Sequence, residues 1–231
     1  MRILLISDIH ANTVALKSVL ESAGDVDLII HAGDIVDYNP WPGEAIDLVK
    51  ELGIKTVIGN HDRDSATGAP VGYNPYAEIS CLWTHRRLTK KEKRYLLGLP
   101  ETLTYNFSGL KVFMCHGSPN FPVDEYVFPP PTTPERYLRE LIMKAEADIL
   151  ILGHTHVPFI YNADGKYVVN PGGVGQPRDG DPRASYVLME VDGREVRFEH
   201  RRVRYDVEKV ADEIIRVGLP EMLARRLYFG F

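Results

Sequence analysis

Five aliphatic runs in this 231-residue chain end in the same way: the apolar stretch stops and a side chain able to bind a metal stands at its exit. The run 3–6 leads into Ser7-Asp8-Ile9-His10, and the run 27–31 leads into Ala32-Gly33-Asp34. The run 55–58 leads into Gly59-Asn60-His61-Asp62, 110–114 into Cys115-His116-Gly117, and 148–152 into Gly153-His154-Thr155-His156. Short continuous apolar runs are the pattern of strands buried on both faces. Strand exits on one edge of an α/β sheet converge in space, and ligands bind there. The repetition therefore constrains the fold to a central sheet with a parallel section and a site at its carboxyl edge.

The segments between these runs fill in the architecture. After Asn12, a capping residue, Val14, Leu16, Val19 and Leu20 keep helical spacing up to Gly24, and Ala45, Ile46, Leu48 and Val49 do so up to Gly53. Strands alternating with helices in this way predict βαβ units. Residues 62–75 are rich in Gly, Pro and Asn and read as a loop, followed by helical stretches over 76–84 and 89–97. Thr89 and Glu92 have the spacing of a capping box. A hairpin over 103–114, a helix over 135–147, two further hairpins and a C-terminal helix over about 207–217 complete the chain. The expectation is a β-sandwich with helices on its outer faces, parallel in its first half and antiparallel in its second. It is one domain over 1–231, with a helical insertion at about 63–98 and C-terminal hairpins and helix over 184–231.

Composition excludes several classes. A hydrophobic share of 44% supports a sizeable core, and a net charge of −5 argues against binding nucleic acid by blanket phosphate neutralisation. Cys81 and Cys115 are too few for a disulfide framework and read as core residues of a protein in a reducing compartment. The apolar run after Met1 is too short for a signal peptide, and nothing approaches the length of a membrane span. The expected location is cytoplasmic.

A single Asp or His at a strand exit is more often a cap than a ligand. Gly153-His154-Thr155-His156 is the strongest of the tips, because one tight turn directs two imidazoles; Gly59-Asn60-His61-Asp62 follows. Imidazole with carboxylate and carboxamide oxygen suits two divalent first-row ions, manganese foremost, with iron, zinc, nickel, cobalt or magnesium as alternatives. An all-oxygen magnesium or calcium cage would not recruit so many histidines. Two such ions about 3.5–4 Å apart clamp a phosphoryl group and acidify a shared water.

Taken in order, Asp8-x-His10, Gly33-Asp34, Gly59-Asn60-His61-Asp62, His116 and Gly153-His154-Thr155-His156 resemble the motif series of the calcineurin-like metallophosphoesterase superfamily. Within it the chain is similar to the small prokaryotic phosphodiesterase-type members, over residues 3 to about 175. The resemblance implies a four-layer αββα sandwich and a hydrolase that cleaves phosphodiester or phosphomonoester bonds by attack of a metal-bridging hydroxide. It places Asp8, His10 and His156 on one ion, Asn60, His116 and His154 on the other, and Asp34 between them. His61 becomes the catalytic histidine and Asp37 the residue that orients it, with Asp62 as the rival for that role. No Arg follows Asp34 as it does in the protein phosphatases of the superfamily, which puts that activity in doubt.

The segment 170–178, ending Gln176-Pro177-Arg178, resembles a signature shared with diadenosine tetraphosphate hydrolases. It makes Arg178 a substrate-binding residue and a dinucleoside polyphosphate the alternative substrate; a non-catalytic scaffold is the alternative of another class. The expected partner is a small phosphorylated substrate, with nucleic acid entering only as a substrate and no membrane. Phe121, Tyr126 and Phe128 are expected to pack over the core, with stacking on a substrate as the alternative. His31 reads as buried and hydrogen-bonded, His85 and His200 as surface residues. The aromatic C-terminus (Tyr228, Phe229, Phe231) leaves the oligomeric state open.

Overall fold

The computed structural model describes residues 1–231. Two five-stranded sheets face each other. The first, in the order β10-β9-β1-β2-β3, is built from β1 (Arg2–Ile6), β2 (Leu28–His31), β3 (Lys55–Thr56), β9 (Ala184–Asp192) and β10 (Glu195–Val203). The second runs β4-β5-β6-β8-β7, with β4 (Thr102–Phe107), β5 (Leu110–Cys115), β6 (Ile149–Ile151), β7 (Phe159–Ala163) and β8 (Lys166–Asn170).

Alternation along the strands assembles the layers. Ile3 and Leu5 of β1 point between the sheets, where they meet Val112 and Met114 of β5 and Ile149 and Ile151 of β6. Leu4 and Ile6, one residue out of phase, face outward onto Leu16 and Val19 of α1 (Thr13–Ala23) and Ile46 and Val49 of α2 (Pro42–Glu51). On the far side, Cys115, Leu150 and Leu152 pack against Leu138, Leu141 and Ile142 of α6 (Glu135–Ala145). The result is helix, sheet, sheet, helix, the αββα sandwich. Both faces of β1, β5 and β6 are apolar because both are covered. Cys81 and Cys115 are buried free thiols.

The division into parallel and antiparallel halves does not hold. Each sheet is mixed: β1, β2 and β3 are parallel with β9 and β10 added antiparallel, and β5, β6 and β8 are parallel with β4 and β7 antiparallel at the edges. The hairpins that dominate the second half contribute edge strands, and their sequences do not reveal which sheet they join.

The expected loop at 62–75 is also corrected. Residues Asn60–Thr67 form helix α3, with Asp62 at its third position accepting from the backbone N–H of the capping residue Gly59 at 3.1 Å. The Gly, Pro and Asn that suggested a loop lie from Gly68 on, where the chain does stay outside helix up to Asn74, and the helix takes only the stretch before them. Two helices follow, α4 (Pro75–Arg87) and α5 (Lys90–Leu97), the latter with the Thr89–Glu92 capping box in place. The C-terminal helix expected at about 207–217 is α7 (Val207–Arg216), and a further helix, α8 (Glu221–Leu227), follows it after Gly218 and Pro220. They pack with Tyr38, Trp41 and Trp83 in a fourth cluster beside the carboxyl edge of the first sheet. No helix is long and apolar enough to cross a membrane.

Candidate metal centre

The carboxyl ends of β1, β2, β5 and β6 meet where the two sheets close on each other. Gly153 N–H donates to the His116 carbonyl at 2.9 Å, and Ser7 bridges to Gly173. The tips curl tightly. Of the eleven non-glycine residues with positive φ, eight belong to this edge: Asp8, His10, Ala11, Asp34, Asp37, Tyr38, His154 and His156. Each such conformation costs on the order of 1 kcal/mol, and strain concentrated in one place marks a functional site. The packing leaves no room to relax: a Cβ on Gly59 would lie 2.0 Å from Asp34 Oδ1, so only glycine fits there.

The tips gather two groups of donors, Asp8 with His10 and His156, and Asp34 with His116 and His154, all buried. Asp34 lies between them, its Oδ2 3.6 Å from His10 Nε2 and 3.2 Å from His116 Nε2. Asn60 joins the second group. Its amide nitrogen donates to the Tyr73 hydroxyl at 2.8 Å, which turns Oδ1 inward to 3.1 Å from His116 Nε2.

Three histidines are oriented by the same device. His10, His116 and His156 each place Nδ1 on a backbone carbonyl, of Val36 at 3.0 Å, Ala32 at 2.7 Å and Gln176 at 2.5 Å. A carbonyl only accepts, so Nδ1 carries the hydrogen and Nε2 faces the cluster. His10 Nε2 and His156 Nε2 then confront each other at 3.2 Å. Burial pushes both rings well below the ordinary histidine pKa, which keeps them neutral. Two neutral nitrogens of this kind present lone pair to lone pair, a contact that a cation between them relieves. His154 meets the second group through Nδ1, 3.1 Å from His116 Nε2, and both oxygens of Asp8 and Asp34 Oδ2 are buried with no hydrogen-bond partner. Unpartnered buried polar atoms cost roughly 1–3 kcal/mol each, so their grouping demands a ligand. The donor set fits divalent metal ions.

His61 stands apart from the donors. Its Nδ1 lies 2.6 Å from Asp37 Oδ2, and its ring is flanked by Tyr38 and Tyr73 at 4.5 and 4.7 Å between centroids. Asp37 is in turn held by Ser80, Thr84 and the Tyr38 N–H. Asp62, the rival partner, is occupied otherwise: it accepts from the backbone N–H groups of Asp34, Ile35, Val36 and Gly59, so it shapes the Asp34 turn and does not touch the His61 ring. Arg63 is tied to Asp64 and Asp124. Arg178 lies over the Tyr38 ring at 5.6 Å and donates to Gln176 Oε1 at 3.0 Å.

The expectation that Phe121, Tyr126 and Phe128 pack over the core is overturned for Phe121 and Tyr126, whereas Phe128 is half-buried. Phe121 is 64% exposed and Tyr126 52% exposed, and Tyr126 stacks on His154 with 3.8 Å between centroids. The loop carries its aromatics outward because Gly117 and Ser118 pin its base to Pro122 and Phe121 through backbone bonds. His31 is buried against Thr56 at 2.7 Å as expected, whereas His85 is half-buried on the Ser65 carbonyl, unlike a surface residue. Sequence reasoning missed Tyr38 and Tyr73 beside His61. Tyr38 directly follows Asp37, a signal that was available; Tyr73 has none, since the approach of residues 68–74 to the site is a tertiary fact.

An αββα sandwich with two opposed groups of metal-type donors at its strand exits is the architecture of a metallophosphoesterase. The sequence profile of the calcineurin-like phosphoesterase superfamily domain matches residues 1–194, and the chain belongs to that superfamily. An uncharacterized protein of Methanocaldococcus jannaschii is 34% identical to it, over 99% of this chain and 98% of the relative. Phosphodiesterase YfcE of Escherichia coli K12 is 23% identical, over 83% of this chain and 89% of the relative. The crystal structure of a metallophosphoesterase from Sphaerobacter thermophilus has a TM-score of 0.85 at 37% identity, covering 100% of this chain and 99% of that one.

Proposed function

We propose that the chain is a phosphoesterase with a binuclear metal centre, hydrolysing phosphodiester or phosphomonoester bonds. The observation that carries this reading is the pair of neutral His10 and His156 nitrogens, 3.2 Å apart, beside the unpartnered oxygens of Asp8 and Asp34. Asp8, His10 and His156 would hold one ion and Asn60, His116 and His154 the other, with Asp34 shared. Such ions, manganese foremost, supply charge that neutralises phosphoryl oxygens and the acidity that makes water a nucleophile at neutral pH.

The remaining work falls to the chain. Asp37 fixes the His61 ring through Nδ1, which leaves Nε2 to face the substrate. A proton on that nitrogen passes to the departing alkoxide oxygen. Tyr38 and Tyr73 hold the ring from two sides, and Arg178 offers its fork to a phosphate oxygen. No side chain serves as a covalent nucleophile in this scheme. The name of the relative YfcE supports a diester substrate. A dinucleoside polyphosphate is a second reading, favoured by Arg178 at the rim of the donors.

The test is hydrolysis of bis-p-nitrophenyl phosphate with added Mn²⁺, with and without chelator. Turnover that chelator abolishes and Mn²⁺ restores is expected. Inertness across several divalent metals would sink the reading and leave a scaffold on this fold.

A further inference from the structure

Arg226, on α8, is placed unlike the arginines around it. Arg225 pairs with Glu221, Arg216 with Glu213, Arg202 with Asp179, Arg183 with Asp181 and Arg63 with two aspartates. Arg226 pairs with no Asp or Glu side chain. Its Nε donates to the terminal carboxyl group of Phe231, and its two terminal nitrogens donate to nothing in the chain. A residue needed only to complement the end of a helix could point into solvent as Arg225 does. Arg226 turns inward instead, half-buried, and its guanidinium carbon lies 5.8 Å from the centre of the Tyr38 ring.

Arg178 occupies the same ring at 5.6 Å. It pairs with no carboxylate, and its contacts are a carboxamide oxygen and the Tyr38 hydroxyl. Two guanidinium groups on one aromatic ring repel, and Arg178 is part-buried there with no carboxylate beside it, which adds to the cost. Burial, with Arg178 second, pushes Arg226 down to about 10. The Tyr38 ring that both arginines share also touches His10 at 4.6 Å and His61 at 4.5 Å, so the pair borders the candidate centre. Tyr126 offers a half-exposed ring above His154.

We infer that Arg178 and Arg226 form an anion subsite for a second phosphoryl group, next to the one held for hydrolysis, so that the preferred substrate carries linked phosphates. This deepens the proposed function and rests on it. Guanidinium forks match phosphoryl oxygens in geometry, and two of them provide more charge than a single phosphate between two metal ions requires. Arg226 is then a specificity residue supplied by the C-terminal helix, outside the strand-tip motifs.

Binding can be read without catalysis. In chelator, the metal-free chain is titrated with inorganic tripolyphosphate and with orthophosphate by calorimetry, alongside R178Q, R226Q and R226K. Tripolyphosphate is expected to bind at least tenfold more tightly than orthophosphate. R226Q should lose about tenfold for tripolyphosphate, and R226K should recover part of that. Equal affinity for the two anions, or an R226Q that melts like the wild type and binds tripolyphosphate as well, overturns the subsite. With Mn²⁺ present, the ratio of kcat/KM for a dinucleoside tetraphosphate to that for bis-p-nitrophenyl phosphate should fall about tenfold in R226Q, and an unchanged ratio counts against it. If tripolyphosphate binds through Arg226 but no metal supports turnover of any ester, the subsite stands and the hydrolase reading fails.

Discussion

The donors at the strand tips and the arginines at the rim are both charged and both withdrawn from water, yet they are held in opposite ways. At the tips every imidazole that faces the cluster through Nε2 is anchored behind by a backbone carbonyl, and Asp34 is clamped by the His61 N–H at 2.9 Å. At the rim Arg178 leans on a carboxamide and a tyrosine, and Arg226 holds the terminal carboxyl group of Phe231 through Nε alone. Fixed positions suit the chemistry, which tolerates little displacement. Lightly held cations suit recognition, because an arriving anion completes their bonding. Under the proposed function the interior would set the reaction and the rim what is brought to it.

The largest expected effect is at the boundary between them. His61→Ala should lower kcat by roughly 10²–10⁴-fold, the usual worth of a positioned proton donor. The loss should be similar for substrates with one phosphate and with several. A loss confined to polyphosphates would break the division by making His61 part of recognition. Asp37→Asn should cost less, about 10–100-fold in kcat with little change in KM, because it loosens the orientation of His61 and removes no reacting group. A change in KM alone would move Asp37 to substrate binding.

A smaller effect concerns stability. Burial, with the nearby His116 second, pushes His31 down to about 3. In the unfolded chain it titrates near 6.5, so between pH 6.5 and 3 the unfolded state binds a proton the folded state does not, and stability falls with pH. The loss from this group between pH 7 and pH 5 is about 2 kcal/mol. His31→Gln, which can still reach Thr56, should reduce the acid-induced loss of unfolding free energy, read from urea titrations, by that amount. An undiminished loss would show that His31 is not the interior group that acid attacks.

What the sequence revealed follows the same line. The tips were legible because each is local: an apolar strand, a tight turn and a ligand-type side chain within four residues, as in Gly153-His154-Thr155-His156. The layers followed from alternation along β1, β5 and β6. The mixed sheets were not legible, since no local feature of β9 says that it pairs with β1. Residues 62–67 misled because they precede the Gly, Pro and Asn of a real loop, whereas Asp62 is recruited by four backbone N–H groups to the start of a helix. Arg226 and Tyr73 belong to no motif and reach the site only through the packing of distant segments.

The most direct measurement is metal content. The chain purified after exposure to Mn²⁺ and desalted should carry close to two ions per molecule by elemental analysis. His156→Ala should retain about one, and Asp34→Ala fewer still, because Asp34 stands between both groups. A wild type that holds no ion, or the same content in all three proteins, would contradict the account.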